Sequence, residues 1–174
     1  PHCYHSLHPN TAGSTNTANG YASLRSNTTG SNNSANGYAS LYSNTTGSNN
    51  SAQGVNAGRY IADGVTNRTT GDNGIYLGYL SKASADGTDN EIVIGSNATG
   101  AGSNSVVLGS DSITKTLLKG NVDIGTTSPT AVLHIKAGTA TASTAPIKLT
   151  AGTLNTNPEA GTIEFDGTDF YMTV

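Results

Sequence analysis

Large hydrophobic residues are sparse and evenly spaced in the first third of the chain. Within residues 1–58 the only large aliphatic side chains are Leu7, Leu24, Leu41 and Val55, and the first three recur at a seventeen-residue period. No apolar stripe at the 3.6-residue spacing of a helix is present, and Gly, Asn, Thr and Ser dominate. The pattern therefore predicts short strands separated by tight turns.

The spacing reflects an internal repeat. Residues 18–34 (ANGYASLRSNTTGSNNS) and 35–51 (ANGYASLYSNTTGSNNS) differ at one position. Three sets of equivalent residues recur along the chain: Tyr4, Tyr21 and Tyr38; Leu7, Leu24 and Leu41; Gly13, Gly30, Gly47 and Gly64. A short fixed period is typical of a solenoid, in which each repeat buries its surface only against its neighbours. We expect these sets to form ladders along the stack, at a spacing of about 4.8 Å.

Each repeat carries two turn signals. NTTG and A-N-G (or A-Q-G) favour turns, and between them lie pieces of strand length such as YASL at residues 21–24. Two short strands and two turns fit one coil of a β-solenoid. Residues 1–64 are therefore predicted to form a solenoid of seventeen-residue repeats.

The repeat changes after residue 64. The pattern N-x-[IV]-x-[LI]-G is shared by residues 73–78, 90–95 and 104–109, so its copies start seventeen and then fourteen positions apart. Because aliphatic residues alternate along these strands, we expect the coils of residues 65–125 to bury more than the first ones. About eight coils over residues 1–125 would give a rod of roughly 40 Å.

A small β-rich module is predicted over residues 126–174, where the repeat stops. Residues 131–136 (AVLHIK) and 145–150 (APIKLT) have strand patterns, and Asp166-Gly167 predicts a hairpin. Neither this module nor the thin coils can build much core alone. We therefore expect an oligomer, and a closed three-fold assembly is the economical solution for a fibre.

Composition and charge narrow the functional classes. Of the 174 residues 11% are charged and 34% hydrophobic, and the net charge is −3, whereas an ordinary domain has about 25% charged and about 45–50% apolar residues. No apolar run approaches the ~18–20 residues of a membrane span, and the acidic balance argues against nucleic-acid binding. We expect neither membrane insertion nor a nucleic-acid partner.

The repeats of residues 65–125 resemble the head repeats of trimeric autotransporter adhesins, which form trimeric left-handed β-rolls. Residues 90–135 and 144–170, together with the SLxxNTTGSxNxAxG repeats, resemble the shaft segments of phage tail fibres. In that family such segments often precede an intramolecular chaperone that trimerises the fibre and cleaves itself off. The resemblance implies a trimeric β-solenoid in the virion, a homotrimeric tail-fibre segment that supports attachment to a host cell-surface glycan or protein.

Two other interpretations of the repeats stay open. One is the stalk of a trimeric cell-surface adhesin, and the other is the subunit of a free extracellular filament. Because the sequence starts at Pro1, in the middle of a repeat, we expect it to be a piece of a longer chain.

One cluster of candidate metal ligands lies at the start of the chain. His2, Cys3, His5 and His8 fall within eight residues, but their spacing matches no zinc module. On a strand, His2 and His8 would also face away from His5. Surface variation within a repeat is the favoured interpretation, and no metal or cofactor is predicted.

Six N-x-[ST] sequons are candidate glycosylation sites: Asn27, Asn32, Asn44, Asn49, Asn67 and Asn97. Four of them recur at the repeat period and would place two columns of sugars on the fibre. An array rich in Asn, Thr and Ser also generates sequons by chance, and we favour that interpretation.

The tyrosine ladder could stack on sugars, or it could cover the flank of the coil or meet a neighbouring chain. We favour the latter two. Glu164 and Asp166 could pair as a glycosidase needs, but a D-G hairpin supplies the same residues for reasons of turn geometry. No nucleophile–base motif, phosphate loop or cofactor fingerprint is present. The sequence predicts a protein that is not an enzyme.

Overall fold

The computed structural model describes residues 5–8, 10–120, 122–124, 131, 133–135, 154, 160 and 163–172. Within these residues the fold is all-β and contains no helix. The strands are β1 (Thr17–Asn19), β2 (Ser34–Asn36), β3 (Ser51–Gln53), β4 (Ile75–Leu77), β5 (Glu91–Ile94), β6 (Ser105–Leu108), β7 (Val122–Ile124), β8 (Leu133–Ile135), β9 (Ile163–Phe165) and β10 (Phe170–Met172). The chain divides into two compact units, Pro1–Lys115 and Thr116–Val174.

The first unit is a β-solenoid. Strands β1 to β6 form one sheet in sequence order, and every neighbouring pair is parallel. Parallel neighbours joined by short connections without helices require the chain to coil. The solenoid has about five turns, which at about 4.8 Å per turn is a rise of roughly 24 Å. The expected eight coils were too many, and the expected rod was too long.

One insertion interrupts the stacking of the coils. Ser34 pairs with Ser51 at the seventeen-residue period, but Ser51 pairs with Ile75, seven positions beyond the one that this period predicts. The additional residues form a small hairpin, in which Tyr60 and Asn67 make an antiparallel bridge. The solenoid sheet continues on both sides of this hairpin, across the change of repeat at residue 64.

The YASL segments lie in turns rather than in strands. The strands are the three residues before each glycine of the A-N-G signal, and residues 21–24 and 38–41 form tight turns. Leu24 has a φ of 48° and its side chain is fully buried. Burying a leucine side chain gains about 2 kcal/mol, which offsets the cost of about 1–2 kcal/mol for a left-handed backbone. The expected strand at YASL was therefore wrong.

A left-handed asparagine precedes each of the strands β2 to β6 and unites the two kinds of repeat. The asparagines have φ between 53° and 60° and are Asn32, Asn49, Asn73, Asn90 and Asn104. Asparagine tolerates this conformation better than most residues. A glycine with positive φ follows each of them five positions later: Gly37, Gly54, Gly78, Gly95 and Gly109. The N-terminal repeats and the N-x-[IV]-x-[LI]-G repeats are thus one structural repeat.

The interior of the coils holds few large side chains. The middle residue of each strand points inward, and Ala35, Ala52, Tyr76 and Val93 are fully buried there. The buried leucines of the turns and small alanines complete the core. Buried asparagines fill the remaining space, and they form two columns.

The first asparagine column joins successive NTTG turns. Asn44 Nδ2 donates to Asn27 Oδ1 at 2.9 Å and to the carbonyl of Gly47 at 2.9 Å. Asn27 repeats both bonds one coil earlier, with Asn10 and Gly30. Each amide therefore closes its own turn and binds the neighbouring coil.

The second asparagine column supports the segment before each strand. Asn33 Nδ2 donates to the carbonyl of Gly47 at 2.8 Å, and its Oδ1 accepts from the backbone N–H of Asn50 at 2.9 Å. Asn50 repeats the pattern with Gly71 and Gly74. Backbone groups that would be buried without partners are thus satisfied between coils.

The glycine column runs through Gly13, Gly30, Gly47 and Gly71. A Cβ added at Gly13, Gly30 or Gly47 would collide with the carbonyl oxygen of the next member. Gly64, the expected fourth member, lies in the inserted hairpin, and a Cβ added there meets nothing within 4 Å. The insertion displaces the true equivalent, Gly71, by seven positions.

The second unit contains two small sheets. Strand β7 pairs with β8 in parallel, across residues 125 and 126, where the sequence suggested a boundary. Strands β9 and β10 form an antiparallel hairpin around Asp166-Gly167, and the rings of Phe165 and Phe170 stack at 4.6 Å. The strand expected at residues 145–150 lies outside the described residues.

Gly47→Ala is predicted to destabilise the solenoid by about 3 kcal/mol, because the added methyl group would force apart two backbones. Gly64→Ala is the matched control. Its φ of 75° predicts a loss of about 1 kcal/mol only. Urea denaturation followed by circular dichroism measures both, and equal losses would contradict the glycine column described above.

Asn33→Ala is predicted to lower the free energy of unfolding by about 2 kcal/mol. The change leaves the N–H of Asn50 buried without a partner, which costs about 1–3 kcal/mol, whereas the carbonyl of Gly47 loses one of its two donors and keeps Asn44 Nδ2. Asn19→Ala, the same change at an exposed strand residue, should cost less than about 0.5 kcal/mol. Similar losses in both variants would show that the column contributes little.

Candidate functional site

Two outward columns of the solenoid sheet change character halfway along it. The first and third residues of β1, β2 and β3 are Ser, Thr, Asn or Gln. The equivalent residues in β4, β5 and β6 are aliphatic: Ile75, Leu77, Ile92, Ile94, Val106 and Leu108. We call these six residues the aliphatic face. Val106 is 62% exposed and Leu108 57% exposed.

The aliphatic face corrects one expectation from the sequence. The two aliphatic positions of N-x-[IV]-x-[LI]-G were expected to enlarge the buried core of each coil. They lie on the outward columns, and the position between them, as in Tyr76 and Val93, is the fully buried one. Ile75, Leu77 and Ile92 are half-buried, and the other three aliphatic residues are exposed. Residue alternation predicts two faces but does not say which one meets the coil interior.

The tyrosine ladder forms a second exposed column. The rings of Tyr21 and Tyr38 stack with centroids 5.4 Å apart and planes 8° apart, and His5 meets Tyr21 edge-on. Val55 and Tyr79 occupy the following positions, and all four side chains of this column are exposed. Stacked tyrosines occupy each other's ring faces, so their edges point to solvent. Tyr4 lies outside the described residues.

The predicted leucine ladder is an internal one. Leu24 and Leu41 are fully buried, and Leu7 packs against the same core at its edge. Gly58 takes the next position, where the ring of Tyr76 leaves no room for a side chain.

Exposure divides the six sequons into two groups. Asn27 and Asn44 are buried, and their Nδ2 atoms are engaged in the first asparagine column. A sugar could not be attached there without unfolding the corner, so only one of the two expected sugar columns is available. The exposed sequon asparagines are Asn32, Asn49, Asn67 and Asn97.

No cluster of three metal-ligating side chains occurs among the described residues. His5 and His8 are exposed, whereas His2 and Cys3 lie outside the described part of the chain.

Asp166 accepts hydrogen bonds from the N–H groups of Thr168 and Asp169 and from the Tyr171 hydroxyl. This arrangement closes the hairpin turn. In the described residues no helix is long and apolar enough to cross a membrane.

Two buried charged residues flank Tyr76, and sequence reasoning missed both. Arg68 takes the place of the next asparagine in the first column, donating to the carbonyl of Gly71 at 2.8 Å. Glu91 accepts from the N–H of Gly102 at 2.9 Å and from the Thr88 hydroxyl at 3.1 Å. Aligning NRTTG at residues 67–71 with the earlier SNTTG segments would have revealed Arg68.

The Tyr76 hydroxyl lies between these charges. Burial raises the pKa of Tyr76 to about 12, and the nearby Arg68 only partly opposes that shift. The guanidinium of Arg68 lies 5.1 Å from the centre of the Tyr76 ring. The tyrosine is thus neutral at physiological pH and packs as part of the core.

Asp86 ends the column of NTTG turns. Thr28 and Thr45 donate their N–H groups to backbone carbonyls of the next turn, but Thr69 and Thr70 donate theirs to the carboxylate of Asp86, both at 2.8 Å. Partial burial raises the pKa of Asp86, but hydrogen bonds from Thr69 and Thr70 outweigh it and lower the pKa to about 2. The carboxylate of Asp86 thus accepts the N–H groups that a backbone carbonyl accepts in the earlier turns.

Asp86→Asn is predicted to cost about 1 kcal/mol at pH 7, in line with the loss of a capping carboxylate. Because the folded pKa is depressed, the contribution is present above about pH 4 and is lost as pH falls through about 2. Urea titrations of wild type and variant between pH 7 and pH 2 should therefore converge at acid pH. A stability difference that stays constant with pH would contradict the role of Asp86.

No protein-family model, curated protein or solved structure matches this chain.

Proposed function

We propose that the chain is a non-enzymatic structural segment of a fibre, assembled as a homotrimer through the aliphatic face. The observation that carries the proposal is the replacement of Ser, Thr, Asn and Gln by six Ile, Leu and Val residues on the same outward columns. Fully burying such a side chain gains about 1.5–3 kcal/mol. A second copy of this chain is the partner that presents the same face at the same height.

Parallel association supports a fibre. A fibre whose chains all point the same way needs an axis of symmetry along its length, and cyclic symmetry supplies it. The proposed trimer brings three aliphatic faces together and adds a core that one thin coil lacks. The exposed hairpin supports the same conclusion, because Ile163, Phe170 and Met172 are each more than half exposed, and an isolated two-stranded hairpin is marginally stable.

The proposed setting is the shaft of a phage tail fibre, in the virion, where the segment supports attachment to a host cell surface. The support for this setting is the resemblance of residues 90–135 and 144–170 to such shafts, together with the repetitive β-solenoid of the first unit.

Sedimentation equilibrium is expected to give three times the 17.5 kDa mass of one chain. Leu108→Lys should raise the concentration at which the trimer dissociates at least a hundredfold, because each chain would bury an unpaired ammonium group. Asn36→Lys, on the equivalent outward column in β2, is the matched control and should leave the trimer intact. A monomeric wild type, or equal weakening by both variants, would overturn the proposal.

The virion setting needs a separate experiment. An antibody raised against the seventeen-residue repeat, detected with immunogold electron microscopy of the source material, should label fibres attached to virion tails. Gold along cell envelopes would favour an adhesin stalk, and gold on detached filaments would favour an extracellular polymer.

A further inference from the structure

Four side chains form a stack on the flank of the first coils: Arg25, Tyr42, Arg59 and Tyr60. We call it the arginine–tyrosine stack. The guanidinium carbon of Arg25 lies 5.5 Å from the centre of the Tyr42 ring, and that of Arg59 lies 4.3 Å from the same ring. Arg59 also lies 4.7 Å from the centre of the Tyr60 ring. Cations and aromatic faces at these distances attract one another and hold the guanidinium planes in place.

The repeat itself builds the stack. Positions 25, 42 and 59 recur at the seventeen-residue period and are equivalent in three successive coils. The residue at position 25 or 42 is the single difference between the two near-identical repeats. Arg59 stands at the base of the inserted hairpin, which contributes Tyr60.

The stretch of chain that builds most of the stack contains no acidic residue. Before Asp63 the only Asp, Glu, Lys or Arg residues in the sequence are Arg25 and Arg59. Asp63 itself accepts hydrogen bonds from the N–H groups of Val65 and Thr66 and from the Thr66 hydroxyl. A protein of net charge −3 thus carries two positive charges and no negative one in the whole stretch that precedes Asp63.

The hydrogen bonds of both guanidiniums go to neutral groups. Arg25 Nη1 donates to the Tyr42 hydroxyl, and Arg59 Nη1 donates to Asn56 Oδ1 at 3.0 Å. Arg59 Nε is buried and has no hydrogen-bond partner within the described structure. A buried charged donor without a partner is unfavourable. The side chain of Arg25 is exposed and can meet an anion from solvent.

We propose that the arginine–tyrosine stack binds an acidic polysaccharide, that is, a glycan bearing carboxylate or sulfate groups. Guanidinium groups recognise planar carboxylates and sulfate-like oxyanions through paired N–H donors. Tyrosine edges and hydroxyls, with the surrounding Ser, Thr and Asn side chains, suit the hydroxyl groups of sugars. Two cations over several coils match widely spaced negative charges better than a nucleic acid, which carries one charge per ~1.7 Å.

This inference rests on the proposed function in one respect, because it names the kind of host partner a fibre would attach to. In a trimer the stack would occur three times, and a polymer that reaches several copies would bind with avidity. The binding site itself needs only one chain.

The test uses the purified chain and titration calorimetry with four probes. Hyaluronan carries carboxylates, heparin carries sulfates as well, dextran is neutral, and polyglutamate is an acidic peptide. Hyaluronan or heparin should bind, more weakly at high than at low salt concentration, while dextran and polyglutamate should not. Which acidic glycan binds more tightly distinguishes carboxylate from sulfate recognition.

Variants locate the binding. Arg25→Gln and Arg59→Gln should each weaken binding at least tenfold, and Lys119→Gln, which removes the same charge outside the stack, should leave it unchanged. Thermal melting and sedimentation of each variant report stability and oligomeric state separately. Binding that survives in a monomeric chain would reject the proposed trimer and keep this site.

Four results would overturn the proposal. They are absence of binding to both acidic glycans, equal weakening by Lys119→Gln, tighter binding of polyglutamate, or arginine variants that lower the melting temperature and leave affinity unchanged. The last of these would assign the stack a purely structural role.

Discussion

The hydrogen-bonded asparagine side chain is the interaction on which the solenoid depends. Tight corners bring backbone carbonyls and N–H groups into a narrow interior where water does not reach them. Asn44 satisfies the carbonyl of its own turn through Gly47 and reaches Asn27 in the neighbouring coil. Each unsatisfied group would cost about 1–3 kcal/mol, and a core of alanines and two leucines cannot offset many such losses. A tight turn of one coil is thus stable only when neighbouring coils stack on it, as in other repeat proteins.

The asparagine columns end where the sequence changes, and two different side chains take over there. Arg68 donates to Gly71 as Asn44 donates to Gly47. Asp86 accepts the N–H groups of Thr69 and Thr70, which a further turn would otherwise receive. These replacements let the interior change from Ala and Asn to Tyr76 and Val93 while the sheet continues without a break. The backbone is preserved because the hydrogen bonds, rather than the residue types, are preserved.

The two halves of the solenoid expose different chemistry. The first coils carry hydroxyl and amide groups, a tyrosine column and two arginines, which suit a hydrated polar partner. The later coils carry the aliphatic face, which suits another copy of the chain. Under the proposals made above, self-association and ligand binding use different surfaces of one repeat, so a change in one surface can leave the other intact.

The sequence by itself determined the class of fold and the alignment of equivalent residues. Its period predicted a β-solenoid and placed Tyr21 beside Tyr38, because residues at equivalent positions of stacked coils must lie one above another. The same period places Arg25 beside Tyr42, but the sequence did not predict that these two residues form a site. Gly71 was missed because an insertion shifts the register, and a period cannot show where residues are inserted.

Only the tertiary structure decided which way each side chain points. Leu24 turns inward because a left-handed φ in its turn permits it, and the burial gained against the neighbouring coil makes that conformation favourable. The same contacts bury Asn27 and Asn44, expose Asn32 and Asn49, and turn the aliphatic positions of β4 to β6 outward. Periodicity specifies which residues share a column, but the inside and outside of a coil are set by turn dihedral angles that the stacked neighbours select.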